Sequence, residues 1–280
     1  MRSWQRFLRE RSAVAGLIVV IVLVFAAVFG PLIDATPPNV ISHALIGHPQ
    51  APAPAHWFGT DLIGRDEFVR ALYGARVSLL VGAAAMVVSF SIGILYGAIA
   101  GAAGGIIDSL MMRFVDAMLS FPTFFLLLII SALTNKFSLT IIILIIGLTS
   151  WPGLARLVRA EVLSLRERDF VEAARALGAG PVRLILRHLI PNALAPVVVA
   201  AAFAIGDNIL AESSLSFFGL GVQPPSPSWG NMLQDALTPQ AEAAPWMVLV
   251  PGLAIVITVL AFSTIADGIR VALDTSIGQE

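Results

Sequence analysis

The sequence predicts an all-α fold, that of a polytopic membrane protein with six transmembrane helices. Hydrophobic residues make up 58% of the 280 positions and charged residues only 12%, whereas soluble domains carry about a quarter charged residues. A helix that crosses about 30 Å of hydrocarbon needs roughly 20 apolar residues, and six segments meet that requirement. A soluble globular domain is therefore excluded.

The six predicted spans lie at residues 13–33, 77–107, 114–133, 137–155, 192–210 and 243–266. The first follows a basic leader, as a signal peptide does, but its 21 uncharged residues favour an uncleaved span. The second is too long for one crossing, and its glycine-rich run at 97–105 predicts an exit turn. Pro122 interrupts the third span and Pro152 lies near the end of the fourth, and both predict kinks because proline lacks a backbone donor.

The distribution of arginine predicts the orientation, because cytoplasmic loops of membrane proteins are enriched in basic residues. An even number of spans puts both termini and the segment 166–191 on one side. That side carries thirteen of the seventeen basic residues, and the other side carries Arg65, Arg70, Arg76 and Lys136. We therefore expect both termini to be cytoplasmic. On the outer side, residues 34–60 predict an irregular loop, and the proline-dense stretch within 218–245 predicts a lid or a re-entrant structure.

The segment 166–191 is a charged interruption in an apolar chain, and its pattern predicts two short amphipathic helices. Phe170, Val171, Ala174 and Leu177 form one apolar stripe at helical spacing. Gly178 and Gly180 break the first helix, and Pro181 suits the first turn of the second. Such a hairpin is too apolar for a free linker and too charged to cross lipid. It needs a protein partner or the membrane surface.

Residues 171–191, VEAARALGAGPVRLILRHLIP, resemble the EAA loop of permease subunits in ABC-type importers. Glu172, Ala173, Ala174 and Gly178 match that motif, and Pro191 stands at its closing position. Further stretches resemble the peptide and nickel importers of this class, among them HWFGTDLIGRD (56–66), MRFVDAMLSFP (112–122) and LAESSLSFFGLGVQPPSPSWGNML (210–233). The matches run in order along nearly the whole chain. It is therefore identified as a member of this family, most similar to the dipeptide-type "C" component.

The resemblance implies a type I ABC importer permease fold in the bacterial cytoplasmic (inner) membrane. Its parts would be an N-terminal region at 1–60, a permease domain of five helices at 75–270 and a tail at 271–280. The implied partners are a second homologous permease, one or two cytoplasmic ATPase subunits, an extracytoplasmic substrate-binding protein and membrane lipid. The chain itself would be no enzyme, since ATP hydrolysis would belong to the ATPase. We expect no cofactor, metal or nucleic acid.

The resemblance also implies that the hairpin docks into a groove on the ATPase. The candidate coupling residues lie on or beside the motif: Glu172, Ala173, Ala174, Gly178, Arg168 and Arg175. The alanines keep the helix narrow, and a glycine at 178 can adopt the positive φ that a reversal needs. Glu172 either pairs with Arg168 or Arg175 on its own helix or reaches an arginine of the partner. A hairpin that lies on the membrane surface is a further alternative.

Ionisable side chains inside spans are costly and are therefore functional candidates. Asp207 lies in the outer half of the fifth predicted span, and Glu212 lies a further turn or so outward, close to the interface. The family commonly has glycine at the position of Asp207. We expect Asp207 to face the transport pathway and to favour a cationic group, such as the amino terminus of a peptide. Alternatively, it hydrogen-bonds Asn208, Ser213 or another subunit. Near the cytoplasmic ends, Asp116 and Asp267 are expected to pair with Arg113 and Arg270.

The function that the resemblance implies is ATP-driven import of di- or oligopeptides. Nickel, nickel chelates and glutathione-like compounds are alternative cargoes of similar permeases. A nucleotide-independent secondary transporter or channel is an alternative from another class, but it would show charged or unwound residues at the membrane midplane. A membrane-embedded enzyme would need a clustered acid, base or metal set. The sequence has no cysteine and no metal-ligand spacing among its four histidines.

Overall fold

The computed structural model describes residues 2–33, 36–134, 138–238 and 243–273, and these ranges are predominantly helical, as predicted. The helices in chain order are α1 (Arg2–Arg9), α2 (Arg11–Ile33), α3 (Glu67–Ala103), α4 (Gly105–Leu119), α5 (Thr123–Thr134), α6 (Leu139–Leu165), α7 (Asp169–Ala176), α8 (Pro181–Leu184), α9 (Ile190–Phe217), α10 (Trp229–Asp235) and α11 (Trp246–Leu273). A π-helical turn, Ile185–Leu189, joins α8 to α9. Lys136 and most of the predicted tail lie outside the described residues.

The relative directions of the long helices establish how often the chain crosses the membrane. In α3, Gly93 faces Leu154 and Gly101 faces Val162 of α6, so α3 and α6 run parallel. Two parallel spans need a return crossing between them, which α4 and α5 supply together. Five single helices and this bent pair are long and apolar enough to span a bilayer. The described chain therefore makes six crossings, as predicted.

The return crossing is sharply bent, with an angle of 81° between α4 and α5. The break lies at residues 120–122, and Pro122, which has no N–H to donate, directly precedes α5. The predicted interruption is thus confirmed. Pro152, in contrast, lies inside α6, because this helix continues ten residues beyond the predicted end of the fourth span.

The second span differs from its prediction at both ends. It begins ten residues early, because the side chain of Asp66 caps α3 by accepting hydrogen bonds from the N–H groups of Phe68 (2.8 Å) and Val69 (3.1 Å). Residues 97–103 are helical. The chain turns only at the junction of α3 and α4, where Gly104 and Gly105 have positive φ. The prediction of an exit turn from residue 97 was wrong. A Cβ at Gly97 would collide with the carbonyl oxygen of Ala155, so these glycines allow close helix packing.

The outer segments are irregular where the sequence predicts it, but they also contain short helices. Residues 36–66 include one 3₁₀ turn, His43–Leu45. Residues 219–228 are non-helical, and α10 then begins at Trp229, inside the stretch predicted to be irregular. Ser228 and Asn231 form a capping box at its start. The buried ring of Trp229 fixes α10 against α3, with its Nε1 donating to the carbonyl oxygen of Ala71 at 3.1 Å.

Candidate functional site

The helix α7 is fixed to the ends of the membrane helices by two apolar side chains. Val171 is fully buried and Ala174 is 8% exposed, and both belong to a core cluster with Val158 and Val162 of α6 and Leu189. Because α6 and the α8–α9 rod both leave this cluster, α7 lies at the junction of two spans. The helix α7 therefore packs against both spans.

The remaining part of the apolar stripe of α7, beside the buried pair, is uncovered. Phe170 is 42% exposed and Leu177 is 89% exposed, and the nearby Val182 is 67% exposed. The predicted apolar stripe thus divides into an inner half, Val171 and Ala174, and an outer half, Phe170 and Leu177. Ala173 lies on the exposed side, whereas Ala174 is used for internal packing. Of the two motif alanines, only Ala173 is accessible to a partner.

The turn after α7 has the geometry predicted for its glycine. Gly178 has a φ of +83°, a region that favours glycine, and the N–H of Ala179 donates to the carbonyl oxygen of Ala174 at 3.0 Å. The predicted second short helix is not separate, however. It is the first part of one helical rod, Pro181–Phe217, that continues through the membrane. The reversal therefore connects α7 directly to a span.

Glu172 is exposed and forms no ion pair with Arg168 or Arg175 in the described part of the chain. The backbone carbonyl of Arg168 starts α7 by accepting the N–H groups of Val171 (2.9 Å) and Glu172 (3.2 Å). The carbonyl of Arg175 accepts the N–H of Gly178 at 2.9 Å. The intrahelical pairs considered from the sequence are thus absent here, and the carboxylate of Glu172 points to solvent.

Two ion pairs connect α4 to α6 at the same end of the molecule. Asp108 accepts two hydrogen bonds from Arg159, at 2.5 and 2.6 Å, and Asp116 pairs with Arg156 at 2.5 Å. The expected pairing of Asp116 with Arg113 was wrong, because Arg156 reaches the carboxylate from the neighbouring helix. The expected pair between Asp267 and Arg270 is likewise not formed among the described residues.

Asp207 lies on an exposed face of α9 between apolar side chains. Phe203 and Leu210, about one turn away on either side, are 38% and 43% exposed. The internal partners considered from the sequence are engaged elsewhere: Asn208 donates to the carbonyl oxygen of Gly82 (3.3 Å) and Ser213 to Glu212 (3.4 Å). Within the described chain, Asp207 has no hydrogen bond or ion pair. A carboxylate at this depth is costly against lipid, so this face suits a partner or a water-filled path.

Glu212, the second carboxylate predicted for the pathway, does not lie on an accessible surface in this structure. It is fully buried, and it accepts hydrogen bonds from Ser78 (2.9 Å), Ser213 (3.4 Å) and Ser216 (2.7 Å). Ser216 also accepts the N–H of Val222 at 2.9 Å. The carboxylate therefore connects α9, α3 and the outer segment, and we assign it a structural role.

An ionic cluster on the side predicted to be outer was missed from the sequence. Asp61 is fully buried and accepts hydrogen bonds from Arg65 (2.5 Å) and Arg70 (2.8 Å). Asp235 of α10 accepts from the same two arginines, both at 2.7 Å. Glu67 lies 3.6 Å from Arg70. The cluster neutralises Arg65 and Arg70, whereas Arg76 donates to the backbone carbonyl oxygens of Ala27 and Val28. The only signal in the sequence was the mixed charge of residues 61–70, which gives no hint of Asp235.

Comparison with known proteins assigns the chain to a family. Residues 93–279 match the family of the binding-protein-dependent transport system inner membrane component. The chain belongs to this family. In addition, residues 1–52 match the N-terminal transmembrane domain of oligopeptide transport permease C. The two matches together contain the first span, α7, and Asp207 and Glu212 of α9.

Individual relatives are similar over most of their length. A dipeptide transport system permease protein of Bacillus subtilis is 38% identical over 97% of this chain and 84% of its own. One from Alkalihalophilus pseudofirmus is 40% identical, over 97% and 88%. An oligopeptide transport system permease protein of Haemophilus influenzae is 42% identical, also over 97% and 88%. The chain is thus a multi-pass membrane permease of the ABC-transporter class.

Proposed function

We propose that this chain is one of two permease subunits of a bacterial ABC importer that carries peptides across the cytoplasmic membrane. The family supports the transport role, and the names of the Bacillus and Haemophilus relatives, which refer to dipeptide and oligopeptide transport, support the cargo. A second permease would complete the pathway, and an extracytoplasmic binding protein would deliver peptide to the outer segments.

The observation that carries this proposal is the division of the apolar stripe of α7. Its inner half, Val171 and Ala174, packs against two spans, while its outer half, Phe170 and Leu177, is uncovered. An apolar helix face with a charged rim suits the groove of a partner protein. We assign the coupling role to this exposed face, to Glu172 and Ala173, and to the turn at Gly178. Arg168 and Arg175 form the charged rim.

In this proposal, the ATPase partner hydrolyses ATP and the permease converts its movement into a change of access. A ligand shifts a two-state equilibrium only through different contacts in the two states. Docking of α7 supplies such contacts, because nucleotide-driven closure of the ATPase moves α7 and with it α6 and the α8–α9 rod. The cavity then alternates between the two sides of the membrane.

A substitution at Leu177 tests the docking surface without disturbing the core. Leu177→Asp places a charge on a side chain that is 89% exposed, so the permease should fold normally. Burial of a leucine contributes about 1.5–3 kcal/mol, and we expect at least a tenfold loss of ATPase co-purifying with the tagged permease pair. Val40→Asp, on an outer side chain that is 51% exposed, is the matched control. Equal recovery of ATPase with both variants would contradict the proposal.

We also propose that both termini and α7 face the cytoplasm. The excess of arginine on that side supports this orientation. Because the chain has no cysteine, single cysteines report on it cleanly. An impermeant maleimide should label Ala55→Cys in spheroplasts, and should label Leu177→Cys only after permeabilisation. The reverse pattern would refute the orientation.

Asp207 is the proposed contact for a cationic group of the cargo. The position of Asp207 supports this proposal, because the side chain is exposed and unpaired between apolar neighbours on α9. The amino terminus of a peptide is the natural partner for a carboxylate in the low-dielectric wall of a pathway.

For the organisation of the chain, we propose an N-terminal region at 1–60, a permease domain at 75–270 and a tail at 271–280. The separate family matches at 1–52 and 93–279 support a division between them. The first helical turn of the tail still belongs to α11, which ends at Leu273.

A further inference from the structure

An apolar groove of about 310 Å³ opens between α1, the start of α2 and the end of α11. Its walls are apolar side chains from all three helices, among them Trp4, Leu17 and Ile269. It lies at the opposite end of the molecule from the outer ionic cluster and takes no part in the internal packing around α7. The function proposed for α7 does not involve this groove.

The groove lies at the boundary of the membrane. The first span begins at Arg11 and the last ends at Leu273, and the two ends lie side by side because Ala13 contacts Gly268. Phe7 packs into the same junction, where it is 6% exposed and contacts Ala13 and Ala272. This contact fixes α1 beside the point where two spans leave the hydrocarbon.

The helix α1 is amphipathic, with an apolar face that exceeds what the protein covers. At 100° per residue, Trp4, Phe7 and Leu8 share one side, while Arg6 and Arg9 lie on the other. Phe7 is buried, but Trp4 is 61% exposed and Leu8 48% exposed. Helices with an aromatic apolar face and an arginine-rich polar face lie in the membrane interface. The uncovered part of α1 therefore faces lipid.

We propose that this groove holds one acyl chain of an anionic phospholipid, with its phosphate against the polar face of α1. The apolar walls match the acyl chain. The net positive charge of the N-terminal segment matches an anionic headgroup, since the first eleven residues contain four arginines and one glutamate. Anionic lipids attract basic residues next to a membrane. A bound lipid would fasten α1 to the end of α11, independently of what the permease transports.

Native mass spectrometry of the full-length chain in detergent, titrated with phosphatidylglycerol or phosphatidylcholine, tests this site. We expect tighter binding of phosphatidylglycerol. Because one arginine near a membrane surface changes affinity by roughly fivefold, the double variant Arg6→Gln/Arg9→Gln should weaken its binding by about 30-fold and leave phosphatidylcholine unchanged. The control Arg183→Gln/Arg187→Gln removes two exposed arginines near α7 and should retain wild-type affinities.

A second variant tests the apolar wall. Trp4→Ala removes a largely exposed ring, so the fold should persist, and both lipids should bind more weakly by the same factor. Equal wild-type affinity for the two lipids would overturn the proposal. So would undiminished binding of phosphatidylglycerol by either the arginine variant or Trp4→Ala.

Discussion

Gly178 reverses the chain at the end of α7, and Val171 packs α7 against α6. The role of Gly178 was predictable, because a glycine at a helix break is typical of a turn with positive φ, and its φ is +83°. The division of the apolar stripe was not. Val171 and Phe170 are adjacent and equally apolar, and only the position of α6 determines that Val171 is the buried one.

Glu212 and Asp207 show the same limit for charged residues. Both are carboxylates in one helix, five positions apart, and hydropathy gives them equal weight. The three serines around Glu212 come partly from α3, more than 130 positions away in the chain, as the hydrogen bond from Ser78 shows. Sequence alone therefore could not separate the structural carboxylate from the exposed one.

Asp207→Asn tests the proposed contact with cargo. If Asp207 binds an amino terminus, the variant loses a charged hydrogen bond of about 1.5 kcal/mol, and uptake of a dipeptide with a free amino terminus should fall about tenfold. The wild type should take up the N-acetylated dipeptide only weakly, and Asp207→Asn should not change that uptake. Asp267→Asn, also exposed, is the control. Unaltered uptake of the free dipeptide by Asp207→Asn would show that Asp207 does not contact the cargo.

At the scale of helices, hydropathy predicted how many spans there are and that they are helical. It did not predict the residues at which the helices begin and end. The span α3 extends 37 residues, because Asp66 caps it early and because glycines that typically break helices are retained for packing against α6. Gly97 and Gly101 are favourable inside this helix only because α6 runs parallel and close to it. The residues of α6 that face them, Ala155 and Val162, lie about 60 positions further along the chain.

The contact between α3 and α6 yields a prediction about stability. A methyl group at Gly97 would meet the backbone of Ala155, and overpacking of this kind costs about 1–3 kcal/mol. Gly97→Ala should therefore lower the thermal midpoint of the detergent-solubilised chain. Gly153→Ala is the control, since a Cβ there meets nothing within 4 Å, and it should leave the midpoint unchanged or raise it. A midpoint for Gly97→Ala at or above the wild type would show that α3 and α6 are not so closely packed.

For the whole molecule, six crossings were predictable from composition, and the parallel run of α3 and α6 supports them independently. The outer ionic cluster gives this architecture a defined outer end. Asp61 and Asp235 hold Arg65 and Arg70 between them, so α10 is attached to the segment before α3. The other end carries α7 and α1, each with one face on the spans and one face free. The two ends of the molecule therefore differ, with an ionic cluster at one and two short helices that carry uncovered apolar side chains at the other.

If α7 passes force from an ATPase to the spans, reversing the charge of Glu172, the exposed carboxylate of the motif on that helix, should uncouple the importer. Peptide-stimulated ATP hydrolysis by the reconstituted importer with Glu172→Lys, compared with Glu167→Lys, measures this directly. Glu167 is also exposed but precedes α7, so it is matched for charge and location. We expect loss of peptide stimulation with Glu172→Lys and wild-type stimulation with Glu167→Lys. Full stimulation with Glu172→Lys would rule out this coupling role.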